Sequence, residues 1–174
     1  MLFGKKKDSV SQGSAAVSSS VHGKKVERKV PQILTYSYSH MGNRQYQQDS
    51  VFVSGSRILA ANKKTRVLAV VCDGMGGMAD GGRAAQTGTR MMIEDFRKIE
   101  KQPEVNIPCF LEEEVRRIDQ VIADFPAENG HGSGSTIVAV VAEDNHLYWV
   151  SVGDSRIYVL RGNEMKQMTR DHNY

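Results

Sequence analysis

The stretch VLAVVCDGMGGMADGGRAA, Val67 to Ala85, runs from an unbroken apolar segment straight into an aspartate followed by glycines. Val67 to Cys72 is apolar at every position, the pattern of a strand covered on both faces rather than a half-exposed one. Asp73 then stands where that strand reaches an edge. A carboxylate there is costly unless hydrogen bonds, a cationic side chain or a metal ion meet it. The glycines behind it allow close backbone approach, so the Gly74 carbonyl can point at the same centre.

DGMGG admits three site chemistries and one plain structural reading, a tight turn. A calcium loop of the EF-hand kind needs oxygen side chains at alternate positions, and Met75 and Gly77 supply none. A Walker-type phosphate loop needs Lys-Ser or Lys-Thr after the last glycine, and neither follows. A site for hard divalent cations remains, and two more aspartates favour it over the turn. Asp49 in RQYQQDSVFV precedes an apolar run, and Asp154 in VSVGDSRIYV lies in a turn between two apolar strands. Each alone is an ordinary turn residue. Together they place three carboxylates at strand ends, which a shared sandwich can bring to one acidic cleft. Oxygen donors of this kind select Mg²⁺ or Mn²⁺ over zinc, and no His-Cys ligand spacing argues otherwise.

Around this stretch the chain divides in two. Residues 1–31 are rich in Ser, Gly and Lys, poor in large apolar side chains, and expected to be a disordered basic tail. The first thirty residues carry seven Lys/Arg against two acids, leaving sixteen basic and eighteen acidic residues for the body. The net charge of +3 therefore belongs to the tail, and the body lacks the basic face with aromatic partners of a nucleic-acid binder. No run of eighteen apolar residues suggests a membrane span, and a few lysines beside Leu2 and Phe3 make one anchoring signal where stable attachment takes two. The expectation is a cytoplasmic monomer without stable membrane association.

Residues 32–174 read as one domain. ILTYSYSH, SVFVS, RILAA and RVLAVVCD are β-favouring, and Ala85, Thr89, Met92, Phe96 and Ile99 recur at helical spacing. Leu111, Val115, Ile118, Ile122 and Phe125 form a second such stripe, with Pro103 and Pro108 separating the two. STIVAVVAE, HLYWVSVGD, SRIYVLR and EMKQMT then follow at the spacing of an antiparallel meander, with turns at Asp144–Asn145, Gly153–Asp154 and Gly162–Asn163. Strands, two helices, then strands predict an α+β sheet sandwich flanked by helices rather than βαβ units.

Two cysteines cannot frame a disulfide scaffold. Neither Cys72 nor Cys109 has the downstream arginine of a cysteine phosphatase, Met78 and Val115 holding those places, so both are expected to be buried small hydrophobes. His22, His40, His131, His146 and His172 show no ligand spacing and read as surface or turn residues.

GNRQYQQDS (42–50), VCDGMGGMADGGRAA (71–85), GSGST (132–136) and VSVGDSRIYVLRGNEMKQMTRDH (150–172), in this order, resemble the metal-dependent protein phosphatase (PPM, type 2C) family of Ser/Thr phosphatases, in its compact bacterial form. The resemblance implies a four-layer α-β-β-α sandwich around two antiparallel sheets. It implies two Mn²⁺ or Mg²⁺ ions at one end, bridged by Asp73 and ligated by the Gly74 carbonyl, with Asp49 in the same acidic cluster and Asp154 at a weaker third ion. Arg44 matches the arginine that holds the substrate phosphate. The implied activity is hydrolysis of phosphoserine and phosphothreonine in proteins, the products of a Ser/Thr kinase.

Three departures qualify the match. Met75 replaces a histidine proposed as general acid in many eukaryotic members, and methionine has no proton to give. Gln48 replaces a glutamate that can ligate metal in some members. Family members also continue past TRDH with two further aspartates, in motifs like SDG and DN, and neither motif follows TRDH in this sequence. The C-terminal part of the sandwich is thus expected to be missing and the chain to be a fragment of reduced or no activity. The alternative is a catalytically dead pseudophosphatase that binds phosphoproteins or a regulator.

Overall fold

The computed structural model describes residues 33–55, 57–59, 64–75, 79–126 and 132–172. The expected tail, residues 1–31, and the glycine pair Gly76–Gly77 lie outside them. In chain order the elements are β1 (Asp49–Val53), β2 (Arg57–Leu59), β3 (Lys64–Met75), α1 (Ala79–Ile99), α2 (Ile107–Ala123), β4 (Gly134–Ser135), β5 (Ile137–Glu143), β6 (His146–Val152), β7 (Tyr158–Arg161) and β8 (Glu164–Gln167). The fold is α+β, as expected, with every strand pairing antiparallel.

β3, the segment from which the reading started, is the hub. It pairs with β1 on one side and β5 on the other, and the main sheet runs β1-β3-β5-β6. Alternate β3 side chains Leu68, Val70 and Cys72 are buried against the helices, joined by Ile137, Ala139 and Val141 of β5. α1 presents Ala85, Met92 and Phe96 to this cluster, and α2 presents Ile107, Leu111 and Ile118. Fully burying such a side chain contributes about 1.5–3 kcal/mol. The helical spacing read in the sequence is therefore the core-facing stripe of each helix.

Five expectations change in detail. Pro108 does not separate the helices; it lies in the first turn of α2, where a missing N–H costs nothing. Asn106 caps that turn, its Oδ1 accepting from Cys109 N at 3.1 Å. Phe125 falls just past the end of α2 and carries the Arg83 guanidinium 4.4 Å from its ring centroid. ILTYSYSH is not a strand: residues 33–40 take no regular structure, and Tyr36 and Tyr38 are almost fully exposed. β-favouring side chains make a strand only where a partner backbone and a face to bury exist. Of the two cysteines, Cys72 is buried, but Cys109 is exposed in the first turn of α2. The meander also breaks: β5 and β6 form a hairpin in the main sheet, whereas β7 and β8 pair only with each other as a second sheet.

Both helices lie on one side of the main sheet. The opposite face carries two rows in register across four strands, Val51, Val71, Val138 and Ser151 in one and Val53, Ala69, Val140 and Trp149 in the next, of which Val71 and Trp149 are exposed. No helix among the described residues is long and apolar enough to cross a membrane.

Two polar clamps hold the layers, one between α1 and the sheet and one between the two helices. Arg66 of β3 is buried and donates to Glu143 of β5, and its Nη1 donates to the carbonyls of Ile99 and Gln102 at 2.9 and 3.1 Å, tying down the end of α1. Arg117 of α2 reaches Glu114 at 2.9 Å and pairs with Asp95 of α1. Arg66→Met leaves Glu143 unpaired and two carbonyls without their donor, so a loss of about 3–5 kcal/mol is expected in urea denaturation. Combining it with Glu143→Met should recover much of that loss; a single variant as stable as the parent would refute this account.

Candidate metal and phosphate site

Asp49 opens β1 and Asp73 lies near the end of β3, and the antiparallel register makes them direct cross-strand partners. Opposed positions put side chains roughly 5 Å apart, close enough for two carboxylates to repel strongly. Burial pushes the Asp73 carboxyl above the ordinary aspartate range, Asp49 pushes it the same way by charge and hydrogen bonding, and Asp154 adds a longer-range contribution. Arg44 opposes all three. A like-charge pair held by main-chain register is an arrangement that a divalent cation relieves.

The main chain of Asp73 is held from the β5 side. Its N–H donates to Thr136 Oγ1 at 3.0 Å, and its carbonyl accepts from Thr136 N at 2.8 Å and Ser135 Oγ at 3.0 Å. Thr136 Oγ1 also lies 2.7 Å from Ser155 Oγ. The hydroxyls of GSGST thus brace the strand that carries the carboxylate. From the β1 side, Gly74 N donates to the Gln48 carbonyl at 3.1 Å.

The glycines after Asp73 have a steric reason. A Cβ on Gly74 would lie 2.0 Å from the Gly81 carbonyl oxygen in the first turn of α1, and one on Gly81 would lie 2.8 Å from the Met75 oxygen. β3 and α1 meet backbone to backbone, and the Gly74 carbonyl lies in that contact, 3.1 Å from the position of a Gly81 Cβ. Gly81 was legible as part of ADGGRAA, but nothing in the sequence alone says that it faces Gly74.

Arg44, Asp49 and Asp73 line one recess of about 190 Å³ together with His40, Met41, Gln47 and Gln48. A turn shapes it: Arg44 N donates to the Met41 carbonyl at 3.3 Å, Gly42 has φ +64°, and Gly42 N donates to His40 Nδ1 at 2.9 Å. Gln47 accepts from Asp49 N at 3.3 Å and donates to Ser39 Oγ at 2.7 Å. His40 and Gln47 are members of the site that sequence reasoning passed over. An isolated exposed histidine carries no ligand spacing, and its place depends on the turn folding back over β1.

Asp154 is apart. It lines a neighbouring recess of about 500 Å³ with Met75, Ser135, Thr136, Val152, Gly153 and His172. Gly153 has φ +95°, and a Cβ there would lie 2.7 Å from Thr136 Cγ2. His172 N donates to the Gly153 carbonyl at 3.0 Å, and Arg156 holds Asp171 through two hydrogen bonds from Nε at 2.9 and 3.1 Å and one from Nη2. Arg156 holds the Asp171 carboxyl below the ordinary range. Among the described residues no three His, Cys, Asp or Glu side chains group closely enough to hold a metal ion. The structure therefore brings two of the three expected carboxylates together and leaves the third at the next recess.

Two carboxylates and an arginine suit a hard cation that keeps several waters and shares a phosphate ligand, as Mg²⁺ and Mn²⁺ do. Met75 is exposed and forms part of the wall of the Asp154 recess. Cys72 is no rival nucleophile, because burial pushes its thiol above the ordinary range.

The sequence profile of the family described as Protein phosphatase 2C matches residues 37–174. The chain is 28% identical over 114 residues to the serine/threonine phosphatase stp of Listeria welshimeri, covering 64% of this chain and 45% of that protein. It is 32% identical over 119 residues to protein phosphatase PhpP of Streptococcus pneumoniae, covering 64% and 46%. The crystal structure of the catalytic domain of serine/threonine protein phosphatase PstP in complex with two manganese ions matches with a TM-score of 0.59 at 32% identity, over 74% of this chain and 50% of that one. The chain thus spans about half the length of these relatives.

Gly74→Ala drives a methyl into the Gly81 backbone and is expected to lower the melting temperature and shift the Asp73 amide resonance. Gly55→Ala, with nothing within 4 Å of its added Cβ, should stay within about 0.5 kcal/mol of the parent. Equal stability of the two variants would show that β3 and α1 do not touch there.

Proposed function

The chain belongs to the protein phosphatase 2C family, and we propose that its Arg44–Asp49–Asp73 recess serves the metal-dependent hydrolysis of phosphoserine and phosphothreonine in proteins. The observation that carries this reading is the recess itself: two register-opposed carboxylates and one guanidinium around a single volume. The names of the relatives as serine/threonine phosphatases support the substrate class, and the manganese complex of PstP supports the cofactor.

In this reading Asp49 and Asp73 hold two Mn²⁺ or Mg²⁺ ions, with the Gly74 carbonyl as a backbone ligand and Asp154 available to a further, weaker ion. When bound, such cations supply Lewis-acid stabilisation and lower the pKa of water in the recess. Arg44 docks the phosphate by charge-assisted hydrogen bonds and stabilises the charge spread over its equatorial oxygens. Thr136 and Ser135 keep Asp73 at fixed depth while substrate exchanges. Met75 holds no proton, so the leaving serine or threonine alkoxide takes one from water or another group. Substrates are phosphoproteins made by a cytoplasmic Ser/Thr kinase.

The separation of Asp154 from the carboxylate pair favours one second reading, a domain that binds phosphoprotein without turnover. Hydrolysis of p-nitrophenyl phosphate and of a phosphothreonine peptide by this 174-residue chain decides between them. Under the first reading product forms only with Mn²⁺, Asp73→Ala lowers the rate by roughly 10²-fold or more, and Arg44→Ala weakens peptide affinity. Peptide binding that depends on Arg44, without metal-dependent product, would replace the first reading by the second. Acid should also act early. Ligation needs the carboxylate form, and Asp73 holds its proton to a higher pH than an ordinary aspartate near about 3.9. Mn²⁺ binding, followed by calorimetry, is therefore expected to weaken on acidification from above that range; affinity unchanged down to it would contradict the assignment.

A further inference from the structure

His40 lines the recess of Arg44, Asp49 and Asp73, and none of the roles given to that recess uses it. Among the described residues its one hydrogen bond is made at Nδ1, which accepts from Gly42 N at 2.9 Å. A ring nitrogen that accepts carries no proton, so the neutral imidazole keeps its proton on Nε2. The ring also stacks on Tyr38, with planes 14° and centroids 6.3 Å apart. The Gly42 amide and the tyrosine together orient the ring and leave Nε2–H, on its other edge, without a partner among the described residues.

The other side chains of the recess are engaged or have nothing to donate. Gln47 accepts from Asp49 N and donates to Ser39 Oγ, and Gln48 Oε1 faces Arg44 Nη1 at 3.5 Å. Ionised Asp49 and Asp73 accept only, and Met41 has no donor. A phosphoryl group brings three strong acceptor oxygens, and the donors that one turn presents to it are the Arg44 guanidinium and the His40 N–H. The Arg44 N–H to Met41 carbonyl bond closes that turn, and Gly42, at φ +64°, holds His40 within it. Capping Gly42 N does not by itself call for histidine, since an asparagine oxygen serves that purpose. What the imidazole adds is a second nitrogen with a proton to share.

We propose that His40 is a second phosphate-docking residue of this recess, its Nε2–H donating to one oxygen of the phosphoryl group that Arg44 holds. Arg44 supplies charge, and His40 supplies a neutral, oriented donor that fixes how the group is turned. The inference rests on the recess as a phosphate site, not on turnover.

The probe is inorganic phosphate in the presence of Mg²⁺, titrated into the 174-residue chain carrying ¹⁵N-labelled histidine and followed by long-range ¹H–¹⁵N NMR. A saturable shift is expected at His40 Nε2 and a smaller one at Nδ1, with His146, at the far end of the β5–β6 hairpin, as the unmoved reference. His40→Asn keeps an acceptor for Gly42 N but has no donor in place of Nε2, and should weaken phosphate by about tenfold while the Gly42 and Arg44 amide resonances stay in place. His40→Gln, whose amide nitrogen falls near the Nε2 position, should recover part of that affinity. A parent chain without a saturable Nε2 shift would overturn the proposal, whatever the variants do to the turn. So would full affinity in His40→Asn; if Arg44→Ala still lost binding, the Arg44 assignment would stand without this one. Phosphate bound through His40 by a chain that hydrolyses nothing would uphold the docking residue and sink the hydrolytic reading.

Discussion

The contact between the end of β3 and the first turn of α1 governs the geometry of this molecule's candidate site. At Gly74 and Gly81 the two backbones are so close that neither position has room for a methyl group. Gly82 extends the contact, its absent Cβ lying 3.4 Å from the Gln47 carbonyl. The turn before β1, the tip of β3 and the start of α1 are consequently one packed unit of main chain. Asp49 follows that unit directly and Asp73 precedes it directly. Their separation is set by backbone, which is stiff, rather than by side-chain rotamers, which are not.

Such rigidity is what lets two carboxylates face each other. Left to flexible side chains, like charges would swing apart into water. Here the register of β1 on β3 opposes them, and the hydroxyls of Ser135 and Thr136 prevent Asp73 from backing away. The cost is borne by the core beneath, where Leu68, Val70 and Cys72 of the same strand are buried against both helices. A locally unfavourable site on a strand whose other residues are strongly favoured is the common arrangement for function on a stable fold. Arg44 supplies the only cationic contribution to Asp73 among the named causes of its shift, and it does so from the turn that closes the recess.

Asp154 answers to a different part of the structure. Its turn is held by Gly153 against Thr136, by His172, and by the Arg156–Asp171 pair at the base of the second sheet. Thr136 touches both regions, since its Oγ1 serves Asp73 N and lies beside Ser155 Oγ. It is the physical link between the carboxylate pair and the third aspartate. A substitution there acts on both recesses at once, which neither GSGST nor VSVGDS suggests when read alone.

By itself the sequence determined the α+β class, the two amphipathic helices and the buried central strand, because apolar periodicity is a local property of the chain; Asp49, Asp73, Asp154 and Arg44 came from it as candidates. It was silent where long-range contact decides. ILTYSYSH has the composition of a strand but no partner, Cys109 has the composition of a core residue but sits on the open face of a helical turn, and β7 leaves the main sheet although its spacing matches a meander. His40 and Gln47 joined the site only when a turn folded over β1, and Asp154 stood apart because it lies in the turn after β6, the strand at the far edge of the main sheet from β1. Tertiary structure alone settled these points, since register, hydrogen-bond partners and burial belong to pairs of segments distant in sequence and cannot be read from either segment singly.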